Sequence, residues 1–467
     1  MPDIQPVPMC RERIIYVRNG CLASDDWAGT SPHFAKRTVL AGWQRLHAWA
    51  AESPWAGHWV LDIGEGEFRL PVLNGFPQSL VSEDLARLTV RGKGSTLTTL
   101  VGLGGDASWA FIFRESRDLT VKGFRLTYSG DLVLGSSWID LQSVRYARLV
   151  DLVLEPIAFW GVRCIGVGAG EAPSPGACED LHVHDCRFVG PAATPGLDEP
   201  EALLIADTTR AHIARCCFEG IGEVGLGLWR AVSDADIEEC NFEGVGYCVR
   251  VGRSTHDIRI ADCDFKCVRG VHAAVDPDHL PNAPFATMLV VDRCDFIART
   301  SGEGVGVTLY ACEDAQVRAS TFLGFESGIV LGDNESDPPP RNVLIQACTF
   351  QGDPIQTTWH YRCDIRVQKH GLVLSGHVIS DCCFRNEGPN HAALTLVTEF
   401  LPVVGGNEAR AAEIWTAVGI VLDDSNRVCS VNTSEPWTGT FRLVELSGQF
   451  VATPYEGSLE CCPAVLV

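Results

Sequence analysis

The chain has 467 residues, and a hydrophobic content of 46% allows a large buried core and argues against global disorder. A formal charge of −22 disfavours non-specific binding to a nucleic-acid backbone, and no apolar run of about 18 residues marks a membrane span. With 46 Gly, 25 Pro and only 3 Met, the composition points to an all-β chain with many corners rather than a helical one.

The opening, Met1-Pro2-Asp3-Ile4-Gln5-Pro6, lacks a basic segment followed by an apolar one, so no secretory leader is expected. Ile14-Ile15-Tyr16-Val17 reads as a strand. Gly29-Thr30-Ser31-Pro32 reads as a helix start, with Ser31 as N-cap and Pro32 at the first helical position. Val39, Leu40, Trp43, Leu46 and Ala50 then recur at helical spacing, which predicts an amphipathic helix. Trp59–Ile63 and Leu88–Gly92 read as strands, and Gly92-Lys93-Gly94-Ser95 lacks the frame of a phosphate-binding loop.

From about residue 115 to 390 the chain repeats around a D/E/A/R-C-x-F signature. The copies end at Cys186-Arg187-Phe188, Cys216-Cys217-Phe218, Cys240-Asn241-Phe242, Cys263-Asp264-Phe265, Cys294-Asp295-Phe296, Ser320-Thr321-Phe322, Cys348-Thr349-Phe350 and Cys382-Cys383-Phe384. Phe-to-Phe spacings of 30, 24, 23, 31, 26, 28 and 34 residues fit single solenoid coils, the longer ones carrying inserted loops. Two short strands per coil are expected, one leading into C-x-F and one following a glycine, as in Gly225-Leu226-Gly227-Leu228. Alternation, with a turn allowed between them, places Ile258, Ile260, Cys263 and Phe265 near the interior. Seven of the eight aligned positions carry Cys, which reads as a buried column of small apolar side chains rather than a metal or disulfide ladder. The 20 cysteines contain no paired C-x-x-C, so reduced thiols of a protein made in a cytoplasm are expected.

Tyr16-Val17, Gly29-Thr30-Ser31-Pro32, the helix, Asp62–Phe68 and Val90–Thr96, together with the C-x-F repeats, resemble the opening and coils of pectin-lyase-like right-handed parallel β-helix proteins. The resemblance covers about residues 12–390. It implies a single-stranded parallel β-helix, an N-terminal cap with its helix and first coil over 1–105, coils over 106–400, and a small C-terminal β segment over 401–467 that caps or oligomerises. Thr438–Val451 alternates as strands do. The group includes polysaccharide lyases, hydrolases, epimerases and phage tailspikes, so the fold alone does not choose a chemistry.

Proteins of this group bind sugars along one sheet, which directs attention to outward side chains of the glycine-led strands. Aligning strand ends on Leu228, Val251, Val275, Leu309, Leu331 and Val367 puts Trp229, Arg250, His272 with Asp276, and Thr308 with Tyr310 on one face. Asp276, Asp278, His272 and Arg250 are the catalytic candidates: two carboxylates for glycoside hydrolysis, or a base beside a uronate-neutralising Arg for a lyase. Trp229, Tyr310, Thr308, His279 and Trp359 are the carbohydrate-binding candidates. Asp276-Pro277-Asp278-His279 equally reads as a solvated turn. It resembles the Asp-Pro-His element of alginate epimerases, with Asp278 where His would follow Pro. Asp333–Asp337 lacks calcium-loop spacing, Asp198, Glu199 and Glu201 read as loop charges, and no metal is assigned; Ca²⁺ enters only for a lyase.

Two function classes follow. One is a phage tail or tailspike-like virion protein, trimeric by analogy, meeting cell-surface polysaccharide and other tail proteins. The other is a lyase, hydrolase or epimerase acting on an extracellular glycan.

Overall fold

The computed structural model describes residues 12–52, 57–73, 76–103, 109–129, 137–166, 178–191, 200–252, 254–274, 286–310, 312–332, 340–352, 363–369, 377–386, 392–398, 420–422, 427–430, 441–445 and 450–453. The chain is a right-handed parallel β-helix and divides into two compact units, Met1–His212 and Ile213–Val467.

Each coil of the second unit has three strands rather than the two expected. Ser233–Glu238 gives way to Asn241–Glu243 and then to Tyr247–Val251; His256–Ala261, Asp264–Cys267 and Arg269–Ala273 follow in the same order. Like strands pair in parallel from coil to coil, forming a first, a second and a third row. The additional corner lies inside the signature. Its first residue adopts a left-handed conformation at Arg215, Glu239, Asp262, Arg293, Ala319, Ala347 and Asp381 (φ from 47 to 55°). Asp tolerates this region better than most residues because its short polar side chain bonds locally. A left-handed residue ends the first-row strand, and x-F becomes a strand of its own.

The cysteine column has a defined task at this corner. The thiols of Cys240, Cys263, Cys294, Cys348 and Cys382 each approach the carbonyl oxygen two residues earlier at 3.1–3.4 Å. Ser320, the exception in the column, donates to the Arg318 carbonyl at 2.8 Å. Cys and Ser are interchangeable there because both are small and both donate. Neighbouring thiols and burial push Cys294 upward, and burial does the same for Cys312, so these sulfurs stay protonated. Alkylation of the native protein is therefore expected to label the exposed Cys21 while sparing the column. Peptide mapping in which column cysteines react as fast as Cys21 would contradict this.

Inward positions of the first row, Ile237, Ile260, Val291, Val317, Ile345 and Ile379, stack in register at no more than 1% exposure. In the second row, Phe218, Phe242, Phe265, Phe296, Phe322, Phe350 and Phe384 form a continuous stack with centroid separations of 4.5–5.2 Å and ring planes within 10°. Glycine-led strands seat this ladder. A Cβ on Gly270 would meet the Phe296 ring at 2.7 Å, and one on Gly306 would meet Phe322 at 2.6 Å. Glycine recurs there because the rings occupy the space a side chain would need.

Parallel register continues past residue 400. Arg427–Ser430 pairs with Cys383–Asn386, setting Val428 beside Phe384, and Phe441–Glu445 pairs with Ala392–Thr398. Phe450–Thr453 then turns back antiparallel on Phe441–Glu445.

In the first unit Glu12–Val17, His58–Ile63 and Leu88–Arg91 begin the first row, as expected. The cap differs from expectation in one respect. Ser31 and Pro32 start only a single 3-10 turn, Pro32–Phe34. The α-helix, Val39–Glu52, has its own start: Thr38 Oγ1 accepts from the Ala41 amide at 3.2 Å, and Asp25 holds Thr38. Val39, Gly42, Trp43, Leu46 and Ala50 are buried, whereas Leu40 is half-exposed. Gly42 lies against Val17 and Leu61, so the helix covers the open end of the first coils. Lys93 and Ser95 prove structural. Lys93 joins Arg18 and Arg91 around buried Asp62, and Ser95 Oγ donates to Asp151 at 2.6 Å. Glu201, expected in a loop, instead begins the strand Glu201–Ile205 and is buried.

Candidate functional site

Third-row strands of the second unit are built on the inward residues Leu226, Val249, Val271, Val307, Ile329 and Ile365. The next position along forms the outward column Gly227, Arg250, His272, Thr308, Val330 and Arg366. This corrects one alignment. Val251 pairs with Ala273, not with Val275, so His272 itself joins Arg250 and Thr308 in the column. The strand ends at Ala273, and Asp276, Asp278 and His279 lie outside the described residues, as does Trp359. Asp333–Asp337 lies outside them too.

Parallel pairing brings side chains 22 to 36 residues apart in sequence within one strand spacing. The indole of Trp229 folds over Gly227, where an added Cβ would meet its Nε1 at 2.5 Å and Cδ1 at 2.9 Å. The Arg250 guanidinium lies 4.5 Å from the Trp229 ring centroid and 5.8 Å from that of Tyr247. Exposed Arg269 covers the other end of the group, 4.5 Å from Tyr247. The His272 ring is 5.1 Å from Tyr247 and meets Tyr310 edge-on at 5.8 Å. Thr308 stands in the column but is only 5% exposed. The structure thus groups Trp229, Arg250, His272, Thr308 and Tyr310, all anticipated from sequence.

It adds Tyr247 and Arg269, which share a register position three residues before Arg250 and His272. Alignment on strand ends alone overlooks them; these two strands are only five residues long, and their first residues also face outward.

Burial, with the charges of Arg250 and Arg269, lowers the His272 pKa to about 3. The imidazole is therefore neutral at physiological pH and a weak proton acceptor. Its Nδ1 and the Nε1 of Trp229 are buried without a hydrogen-bond partner among the described residues. Two carboxylates border the column, and each faces an arginine: Glu223 lies 3.8 Å from Arg250, and Glu326 lies 3.2 Å from Arg366. Aromatic faces, an exposed guanidinium and polar ring atoms suit stacking on a sugar and pairing with its acidic substituents.

A second aromatic–cation group, also missed in the sequence, occupies the third row of the first unit. Trp109 and Trp160 stack at 5.6 Å, and the Arg163 guanidinium lies 4.7 and 4.9 Å from their centroids. Fully buried Asp140 fixes Arg163 through two hydrogen bonds of 3.0 and 2.8 Å.

No protein-family model matches the chain, and no curated protein matches it. Solved structures do. The A-module of the Azotobacter vinelandii mannuronan C-5 epimerase AlgE4 superposes with a TM-score of 0.54 at 12% identity, covering 84% of this chain and 92% of that one. The N-terminal fragment of bacteriophage Phi29 gene product 12 gives 0.54 at 11% identity, with 90% and 71% covered. The catalytic domain of a GH87 α-1,3-glucanase gives 0.52 at 10% identity, with 90% and 70% covered. At these identities the likeness is one of fold, the parallel β-helix.

Proposed function

We propose that this chain recognises an acidic cell-surface polysaccharide through the third-row face of its second unit, and does so as a trimeric, tailspike-like component of a phage tail. The observation that carries the reading is the column itself. Trp229, Tyr247 and Tyr310 offer rings, Arg250 and Arg269 offer guanidinium groups, and His272 is held neutral among them. This is a set for binding. A proton-transfer step at neutral pH needs a group that titrates closer to that pH than His272 does. A bacteriophage protein and carbohydrate-acting enzymes share the fold, which is compatible with either class. Buried, protonated thiols fit assembly in a reducing host cytoplasm, with the virion or the extracellular space as destination.

Gly227→Ala tests the reading without opening the core, because the three atoms nearest the new Cβ all belong to the Trp229 indole. With a panel of uronate-bearing and neutral polysaccharides, the wild type is expected to be retarded in affinity electrophoresis by an acidic polymer and to leave its length unchanged. Gly227→Ala and Arg269→Ala should each weaken retention at least about tenfold, which is 1.4 kcal/mol, while Asp276→Asn leaves it intact. A monomer in light scattering that shortens a polysaccharide, with the shortening abolished by Asp276→Asn, would replace this reading with the enzyme reading.

A further inference from the structure

The sequence carries no contiguous zinc motif, yet stacking of coils assembles a three-histidine cluster in the first row. In strand Cys178–His184, His182 and His184 flank buried Val183 and so share the outward face. The repeat Leu181-His182-Val183 recurs as Ala211-His212-Ile213, which supplies a third imidazole one coil further on. His184 Nε2 and His182 Nδ1 are 3.5 Å apart, and one ring nitrogen from each of the three residues lies within 4.8 Å of the others. Ring centroids are 5.7 Å for His182–His184, 5.9 Å for His182–His212 and 4.8 Å for His184–His212.

A tetrahedral ion with metal–nitrogen bonds of about 2.0–2.1 Å needs ligand nitrogens about 3.3 Å apart. The His182–His184 pair already approaches that separation, and the nitrogen of His212 lies within 4.8 Å of both. Three stacked imidazoles explain the ring contacts alone, but they do not require nitrogens to converge on one point. The surrounding charge is mixed. Arg148 is the register partner of His182, and Asp180, bound to Arg210, lies two residues before it. Donor chemistry points to the kind of ion: imidazole suits zinc, copper and nickel rather than calcium or magnesium.

We propose that His182, His184 and His212 bind one borderline divalent transition-metal ion, with Zn²⁺ as the reference, and leave a coordination position open. This site is independent of the glycan face.

The test uses the full chain stripped of metal. Zn²⁺ is titrated calorimetrically, and Co²⁺ is followed by its absorption. One equivalent is expected, with a nitrogen-type spectrum lacking a thiolate charge-transfer band, and with His184→Asn and His212→Asn each weakening affinity at least tenfold. A parallel experiment on the wild type needs no variant. Zn²⁺ should shield His182, His184 and His212 from diethyl pyrocarbonate while exposed His33 and His256 stay reactive. A thiolate band, unchanged affinity in folded variants, or failure of Zn²⁺ to shield the three histidines overturns the proposal.

Discussion

Phe296→Ala is expected to lower the unfolding free energy by about 3–5 kcal/mol, the usual cost of removing a large aromatic side chain from a tight core. Phe296 is fully buried and stacks on Phe265 at 4.5 Å and on Phe322 at 4.8 Å, both within 4° of parallel. Its edge also rests on Gly270, so the vacated space has a backbone wall that cannot supply a side chain to fill it. The converse substitution fails for the opposite reason. A Cβ at Gly270 would lie 2.7 Å from the ring and 2.3 Å from the Gly306 carbonyl oxygen, so Gly270→Ala is expected to destabilise by overpacking, by about 1–3 kcal/mol. Urea unfolding followed by fluorescence and circular dichroism gives both values. A loss below about 1 kcal/mol for Phe296→Ala would mean that the ladder is not a principal source of stability.

The second large effect is loss of stability in mild acid. His377 is fully buried, its Nδ1 accepts from the Val343 amide at 3.2 Å, and burial lowers its pKa to about 4 from the ordinary 6.5. A histidine whose folded pKa is lowered takes up its proton more readily when unfolded. Its neutral form thus supports the fold fully above pH 6.5, and that support fades as pH falls from 6.5 towards 4. At about 1.36 kcal/mol per unit, His377 removes about 2 kcal/mol by pH 5 and about 3 kcal/mol by pH 4. His272, lowered to about 3 by burial and two arginines, adds in the same direction. Urea midpoints measured from pH 7.5 to 4.5 should fall steadily, and His377→Asn should flatten the curve even if it starts lower. Equal slopes for wild type and variant would show that His377 does not titrate across this window.

The sequence made the solenoid legible because coil stacking repeats the same environment: an inward phenylalanine, a small corner residue and a glycine-led strand. A turn before the cysteine was anticipated, but not that it would divide the segment into two strands. Asp262 and Ala319 have no common side-chain chemistry, and only the backbone shows that both are left-handed. This corner makes three strands from the expected two. The candidate face was partly legible for the same reason. Arg250, His272 and Thr308 follow from alternation once strands are aligned, although the alignment on Val275 was two residues late for one coil. Tyr247 and Arg269 were hidden because they open their strands, three residues before the positions that alignment on strand ends picks out. The histidine cluster was hidden more deeply still, since His212 is 28 residues from His184 and meets it only through stacking.

Glycan binding on the third-row face of the second unit is open to radical footprinting with a polysaccharide that the protein retains. Strong protection of Trp229, Tyr247 and Tyr310 is expected, with Trp49 and Trp27 at the N-terminal cap unchanged. Protection confined to the cap, or none at these three rings under saturating polysaccharide, would contradict it.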